Sequence, residues 1–323
     1  MKIRKNFTMI DVLASIVIMM TLLSMLMPML RGARQKAKYE RWYAYNKHWS
    51  RDADCVINYD FQELVKRGDG DYLRNSAEGC DGKDYVGRDY DGHLMSDVTG
   101  TNHKFTKGLQ NAGRWGRYKK ALEFNGSDTY VGVAGQQSVN FSPRDDFTII
   151  VSCKFDEFNL GDGLFSKSMW GTPSYNATQY DLYCDNPDVG GAFEIDVFTS
   201  CVGWDTSDVE FDKDAGWFTV AMRYKVKSVS IAADGTENIE SESSVFVNGQ
   251  ALGTPRATNN SVAVGWEECS TQKKPLIFGA IGSMPFWGGG IIYHLTGKMD
   301  EAQVFKRAFS DLEIKGHAQM GAE

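Results

Sequence analysis

The sequence lacks the short motifs that mark the common catalytic and metal-binding centres. It has no Cys-x-x-Cys pair, so a tight zinc site built from cysteines is not expected. It also has no His-Glu-x-x-His, no Gly-x-Ser-x-Gly and no Gly-x-x-x-x-Gly-Lys string. These absences argue against a zinc peptidase, a serine-nucleophile elbow and a phosphate-binding loop. The Asp-rich loops do not have the spacing of an EF-hand.

Positive charge is scarce outside the first 52 residues. The 323-residue chain has a net charge of −7, yet residues 1–52 hold ten Lys or Arg against three Asp or Glu. The rest of the chain therefore carries −14 and forms an acidic body behind a basic N-terminal region. An acidic body argues against nucleic acid as its partner.

The cysteines are few but even in number, at positions 55, 80, 153, 184, 201 and 269. An even count fits up to three disulfides in an oxidising compartment, and buried free thiols are the alternative. Cys55 and Cys80 are the first candidate pair, because they lie near each other in the chain.

A long apolar run spans residues 9–30 and is interrupted by one acid, Asp11. At about 1.5 Å per helical residue it is long enough to span the core of a bilayer. A cleaved secretory signal, a plain membrane anchor and an assembly helix all compete to explain it. The run is too long for a secretory signal. A plain anchor does not explain Asp11, since a charge in lipid is costly.

The start of the chain resembles the N-terminus of type IV prepilins and pseudopilins, over the stretch KNFTMIDVLASIVIMMTLLSMLMP. In that family a prepilin peptidase removes a short basic leader, and the new first residue is methylated. The resemblance implies cleavage between Asn6 and Phe7 and methylation of Phe7. Pro28 stands 21 positions after Phe7, as in the family.

Two positions depart from the family's pattern: Asn6 stands for the usual glycine, and Asp11 for the usual glutamate. In the family the acid pairs with the methylated amine of a neighbouring subunit. A carboxylate in a low dielectric is destabilising alone and favourable beside a positive charge. The resemblance therefore implies that Asp11 and Pro28 belong to an assembly surface, which packs against other copies or other pilins.

The same resemblance implies a location and partners. It places the helix in the bacterial inner membrane with the body outside, and in an extracellular filament or pseudopilus after assembly. The counts of Lys and Arg on the two sides of the run favour the opposite orientation, but the resemblance and the six cysteines favour this one. Prepilin peptidase and a pilus or secretion assembly platform are the implied partners. The good helix formers of RGARQKAKYERWYAYNKHW predict that the helix continues beyond the apolar run.

Beyond residue 53 the apolar pattern changes to an alternation of period two. It is clear in DFTIIVSCKF and WFTVAMRY, and SSVFVNGQALG reads as two strands around an Asn248-Gly249 turn. Ser310 and Glu313 form a capping box that predicts a short final helix. The pattern predicts a mainly β chain, with a long N-terminal hydrophobic helix followed by an antiparallel sandwich.

The order of segments in this body resembles the laminin-G-like, concanavalin-A-like jelly rolls, and GKMDEAQVFKRAFSDLEI is its most specific part. The resemblance divides the chain into a leader at 1–6, a transmembrane and assembly helix at 7–52, and a sandwich domain at 53–320. No cofactor is required by it, although relatives often hold a structural Ca²⁺ through loop oxygens.

One strand resembles the catalytic strand of glycoside hydrolases that share this fold. FEIDVF puts Glu194 and Asp196 on one face, where two carboxylates would cleave a glycosidic bond. Phe198 and Thr199 occupy the two positions where the third carboxylate of those enzymes stands. The sequence therefore predicts a protein that is not an enzyme.

Tryptophans in loop-like stretches are the candidates for ligand contact, because their rings stack on sugars or on proteins. Core packing is the alternative for them. We expect a pilin-like or pseudopilin-like subunit whose sandwich binds an extracellular glycan or protein. The alternatives are a membrane-anchored, lectin-like protein that does not polymerise, and, less favoured, a tethered glycoside hydrolase. The four candidate rings are Trp170, Trp204, Trp266 and Trp287.

Overall fold

A computed structural model describes most of the chain. The described residues are 8–67, 70–78, 92–96, 109–133, 139–157, 159, 161–167, 180–185, 192–197, 216–235, 237–261, 276–283 and 290–321. Their elements, numbered in chain order, are α1 (Met9–Trp49), β1 (Cys55–Arg67), β2 (Gly70–Asn75), β3 (Gly92–Ser96), β4 (Leu109–Gln110), β5 (Ala121–Asn125), β6 (Thr129–Val133), β7 (Phe147–Phe155), β8 (Gly163–Lys167), β9 (Tyr180–Asp185), β10 (Ala192–Val197), β11 (Phe218–Ile231), β12 (Glu237–Val247), β13 (Gln250–Ser261), β14 (Leu276–Phe278), β15 (Ile281–Ser283), β16 (Gly290–Ile292), β17 (Thr296–Phe305) and α2 (Asp311–Gly321).

The strands pair antiparallel along one hydrogen-bonded path, in the order β10-β9-β8-β14-β6-β3-β2-β1-β17-β7-β11-β12-β13. β17 lies at the centre, with β7 on one side and both β1 and β5 on the other. The turn between β12 and β13 is the predicted one, because Asn248 and Gly249 both have positive φ, as a tight hairpin requires.

The path folds back on itself into a sandwich, as ring contacts between distant strands show. The ring of Tyr59 in β1 lies 5.9 Å from that of Phe278 in β14, and Phe147 in β7 lies 5.2 Å from Tyr180 in β9. One large apolar cluster draws residues from both halves of the path. The predicted fold class is thus confirmed: the chain is mainly β and antiparallel, with a sandwich-like body and a long apolar N-terminal helix.

The outer face of the β7–β11–β12–β17 layer is also buried, which the alternation of polar and apolar residues did not predict. Ile150 points away from the main cluster and packs in a second one with Trp49 of α1 and Ile314 of α2. The rings of Trp49 and Phe309 lie 4.8 Å apart in the same cluster. The end of α1 and the whole of α2 therefore cover this face. α2 begins with the predicted capping box, in which the backbone N–H of Ser310 donates to Glu313.

Burial of this outer face is testable by truncating one of its side chains. We expect Ile150→Ala to lower the free energy of unfolding by about 2–5 kcal/mol, because it leaves a cavity under the two helices. Val229→Ala, on the half-exposed tail of β11, is the control and is expected to cost less than about 1 kcal/mol. Denaturant unfolding of the full chain in detergent measures both. Equal effects from the two variants would contradict the helix-covered face.

Candidate functional site

The first part of α1 is an uncovered apolar rod. Its large apolar side chains from Met9 to Leu30 are exposed, and no residue of the most apolar 18-residue window is buried. By length and composition this helix is able to cross a membrane. The hydroxyl of Ser15 donates to the carbonyl of Asp11, and that of Ser24 to the carbonyl of Thr21. These polar groups are thus satisfied within the helix, as a lipid environment requires.

Asp11 lies in the first turn of α1 and closes a capping box with Thr8. The Thr8 backbone N–H donates to Asp11 Oδ2 at 3.0 Å, and the Thr8 hydroxyl donates to the same oxygen at 2.6 Å. The Asp11 N–H in turn donates to the Thr8 hydroxyl at 3.4 Å. The carboxylate therefore has a local role that the sequence reasoning missed, although the Thr-x-x-Asp spacing signals it.

Pro28 lies inside α1, which continues without a break to Trp49. Because proline has no N–H, the carbonyl four residues earlier loses its helical donor. Of the other predicted residues, Cys55 is buried at the start of β1. Its suggested partner Cys80 lies outside the described residues, and so do Asn6, Phe7 and the four candidate tryptophans Trp170, Trp204, Trp266 and Trp287. The cleavage, disulfide and ligand assignments remain predictions.

The second part of α1 is joined to the sandwich by a buried hydrogen-bond network. The side chains of Asn46 and Asn58 exchange two hydrogen bonds, at 3.0 and 3.2 Å. Asn46 Nδ2 also lies 3.1 Å from Glu301 Oε1, and the Trp42 indole N–H donates to Glu301 Oε2 at 3.2 Å. Gln303 of β17 donates to Asn58 at 2.8 Å. Two side chains of the helix thus bind polar groups of two central strands.

α2 is part of the same network through His317. Its Nε2 lies 2.6 Å from Gln303 Oε1, and because that oxygen only accepts, Nε2 carries the proton. Burial lowers the pKa of His317, which keeps the imidazole neutral at physiological pH. α1, β1, β17 and α2 are consequently connected by hydrogen bonds between buried side chains.

A buried ion pair lies at the centre of this junction. The guanidinium of Arg114 contacts both Asp300 and Glu301, and all three side chains are at most 1% exposed. Burial raises the pKa of Asp300. Burial acts the same way on Glu301, but the charge of Arg114 outweighs it and brings the pKa of Glu301 down to about 2. Glu301 is therefore an anion at neutral pH.

Lys119 completes the charge balance. Its ammonium lies 3.2 Å from the centre of the Trp42 ring and donates to the carbonyl of Asp60 at 2.7 Å. Burial lowers the pKa of Lys119 to about 8. Two cations therefore face two carboxylates, Asp300 and Glu301, and a tryptophan of the helix lies over one of the cations. The adjacent acids inside an apolar strand, in KMDEAQVF, were the sequence signal for this junction.

The described residues do not assemble a metal centre. Among them there is no group of three or more His, Cys, Asp or Glu placed to hold a metal ion. The register of β10 puts Glu194 opposite Tyr183, and Asp196 opposite Asp181. The side chains of this strand's two acids lie outside the described part of the structure. The statement that β10 lacks the third carboxylate of the glycoside hydrolases therefore rests on the sequence alone.

Comparison with known proteins gives distant likenesses only. The sequence matches no protein-family model and no curated protein. Domain 4 of AbnA, an extracellular arabinanase from Geobacillus stearothermophilus, aligns with 82% of this chain and 98% of its own at 13% identity and a TM-score of 0.47. The CBM40 of the Ruminococcus gnavus IT-sialidase, in complex with α2,3-sialyllactose, covers 61% of this chain and 95% of its own, with 16% identity and a TM-score of 0.38.

The sialidase of Trypanosoma rangeli aligns over 84% of this chain but only 34% of its own length, at 13% identity and a TM-score of 0.45. All three TM-scores are below 0.5. These likenesses therefore assign no family, ligand or reaction to this chain.

The junction predicts an acid-sensitive stability. The pKa of Glu301 is lower in the folded chain than the ordinary value of 4.5, so its contribution is present above about pH 4.5 and is lost as the pH falls towards 2. We expect this loss to reach about 3 kcal/mol in the wild-type chain and to disappear in Glu301→Gln.

The control is Asp156→Asn, which removes an exposed ion pair with Lys298. Exposed pairs contribute at most about 1 kcal/mol, so its acid profile is expected to follow the wild type. Urea unfolding of the full chain at pH values from 2 to 7 measures the three profiles. A Glu301→Gln profile as steep as that of the wild type would contradict the assignment.

Proposed function

We propose that the protein is a pilin-like or pseudopilin-like subunit, embedded by α1 in the bacterial inner membrane and displaying its sandwich outside. One observation carries this proposal: α1 is a single helix whose first 22 residues are uncovered, while its last eight are fixed in the body. Such a helix needs lipid, or the same helix of other copies, to cover its apolar side chains.

The position of Asp11 supports assembly rather than simple anchoring. Thr8 supplies neutral donors to the carboxylate but no positive charge. A charge with only neutral partners remains costly in a low dielectric, and a cation from a neighbouring subunit would offset that cost. Under the proposal, peptidase cleavage before Phe7 creates that cation as a methylated amine, one residue from the capping box.

The rigid junction also suits an assembled subunit. A platform that moves α1 along its axis would move the sandwich with it, because Trp42 and Asn46 are held by Glu301. Pilus and secretion platforms are the partners that act in this way under the proposal. The sandwich would then be presented to an extracellular glycan or protein, with the four candidate tryptophans of the sequence as contacts and Ca²⁺ as a candidate ligand.

A second function is favoured by the capping box itself. Since Thr8 and Asp11 satisfy each other within one chain, the acid has a structural reason to be present without any neighbour. The chain would then be a lectin-like protein that is anchored by α1 and never polymerises.

The mature N-terminus distinguishes these two functions directly. We expect mass spectrometry of the protein from its native membrane to find N-methylated Phe7 as the first residue, because a prepilin peptidase would cut after Asn6. Phe7→Ala, which leaves the basic leader intact, is the companion variant and should be cleaved at the same bond. An intact Met1 on the membrane protein would contradict pilin-type processing.

Three variants separate the charge of Asp11 from its capping role. Asp11→Asn keeps an oxygen that accepts from Thr8 but removes the charge, Asp11→Ala removes both, and Thr8→Ala removes the capping hydroxyl and keeps the charge. If Asp11 pairs with a neighbour's amine, both Asp11 variants should yield at least about tenfold fewer cross-linked copies in membranes, while Thr8→Ala stays near the wild type.

Membrane fractionation provides the control, since all three variants should still partition with the membrane. If Asp11→Asn gave as many cross-linked copies as the wild type while Thr8→Ala gave fewer, the carboxylate would act only as a helix cap. That outcome would favour the non-polymerising anchor.

A further inference from the structure

A basic cleft lies between α1 and the loop that follows β4. Its volume is about 270 Å³, near the lower limit for pockets that hold small ligands. One wall is a single face of α1, and the other is formed by the turn that carries the buried ion pair. The cleft is lined by Arg31, Arg34, Gln35, Lys38, Arg114 and Trp115.

The α1 wall concentrates positive charge without compensation. Arg31, Arg34 and Lys38 are three and four residues apart, which places them on one side of the helix. Among the described residues no carboxylate pairs with any of these three side chains, and the lining contains no acid. Like charges held together at this spacing repel one another, so an anion between them would be stabilising.

The opposite wall offers buried hydrogen-bond donors. Arg114 and Trp115 are both buried, and both line the cleft. Within the described part of the chain, Arg114 Nη1 and Trp115 Nε1 find no hydrogen-bond acceptor. A buried donor without a partner is costly. Both residues line the cleft, so a ligand with acceptor oxygens bound there is the candidate partner for these donors.

The position of the cleft along α1 identifies the source of such a ligand. The apolar run ends at Leu30, and a rise of about 1.5 Å per residue puts Arg34 about 6 Å and Lys38 about 12 Å beyond it. The polar layer of a bilayer is about 5–7 Å thick on each side of the hydrocarbon. The lower part of the cleft thus lies at the depth of lipid phosphates if α1 spans the membrane as proposed above.

We propose that this cleft binds the phosphate of an anionic phospholipid headgroup. Arg31 and Arg34 hold the phosphate oxygens through their planar guanidinium groups, which match phosphate better than an ammonium does. Lys38 adds charge above them, and the free donors of Arg114 and Trp115 close the floor. The bound lipid fixes the depth of α1 and, through Arg114, contacts the junction that holds the sandwich. That the phosphate belongs to a lipid rests on the membrane function proposed above, whereas the recognition of a phosphate by this cleft does not.

The test measures lipid binding to the full chain in a neutral detergent by native mass spectrometry. Phosphatidylglycerol, phosphatidylcholine and inorganic phosphate are titrated separately. We expect one saturable phosphatidylglycerol per chain, and weakening by about fivefold for each of Arg31→Gln, Arg34→Gln and Lys38→Gln. Lys36→Gln is the matched control, because it removes the same charge from an exposed position that does not line the cleft.

Each other outcome would overturn the proposal. Inorganic phosphate that displaces the lipid at equal concentration would show that the site serves free phosphate. If Lys36→Gln weakened phosphatidylglycerol binding as much as Arg34→Gln does, lipid would be held by the general positive charge of the helix and not by the cleft. Equal affinity for phosphatidylcholine would show that the site does not select the headgroup. Absence of bound lipid would leave an acidic side chain of another subunit as the occupant. The assay uses single chains, so its result is independent of whether the protein polymerises.

Discussion

The structure depends on the buried carboxylate of Glu301. It accepts hydrogen bonds from Trp42 and Asn46 of the helix, and it pairs with Arg114 from the loop after β4. Burying ions costs several kcal/mol each, so this arrangement is stable only while every partner is in place. An apolar contact would hold the helix more loosely in register, because it has no directional bonds. The helix is therefore oriented on the sandwich by charge and hydrogen bonding, with the aromatic packing of Trp49 beside it.

This junction divides α1 into two parts with different surroundings. From Trp42 to Trp49 the inward side chains are enclosed by protein, whereas the large apolar side chains before Arg31 are exposed. Between the two parts lies the basic face that borders the cleft. Under the proposed membrane function, lipid, headgroup and protein would follow one another along this single helix. An anion in the cleft would touch Arg114, the residue that also anchors Glu301, and would link the membrane surface to the junction.

Elements with a strong period were predictable from the sequence. The helix beyond the apolar run, strands β7 and β11, the Asn248-Gly249 turn and the capping box of α2 all follow local rules that the structure obeys. The capping box of Thr8 and Asp11 follows the same local rule, since a threonine three residues before an acid is its signature. The junction was not predictable, because Trp42 and Asn46 meet Glu301 across 259 and 255 positions of the chain. Their meeting depends on the register of β17 with β1 and β7, which local patterns do not specify.

Hydrogen exchange of the full chain in lipid nanodiscs tests the central claim most directly, namely that the end of α1 and the sandwich form one cooperative unit. The account predicts that the amides of residues 42–49 are as protected as those of β17, because both are released only by opening of the junction. In Asn46→Ala, protection of residues 42–49 should fall and that of α2 should fall with it. Fast exchange of residues 42–49 in the wild-type chain, with β17 still protected, would contradict the account.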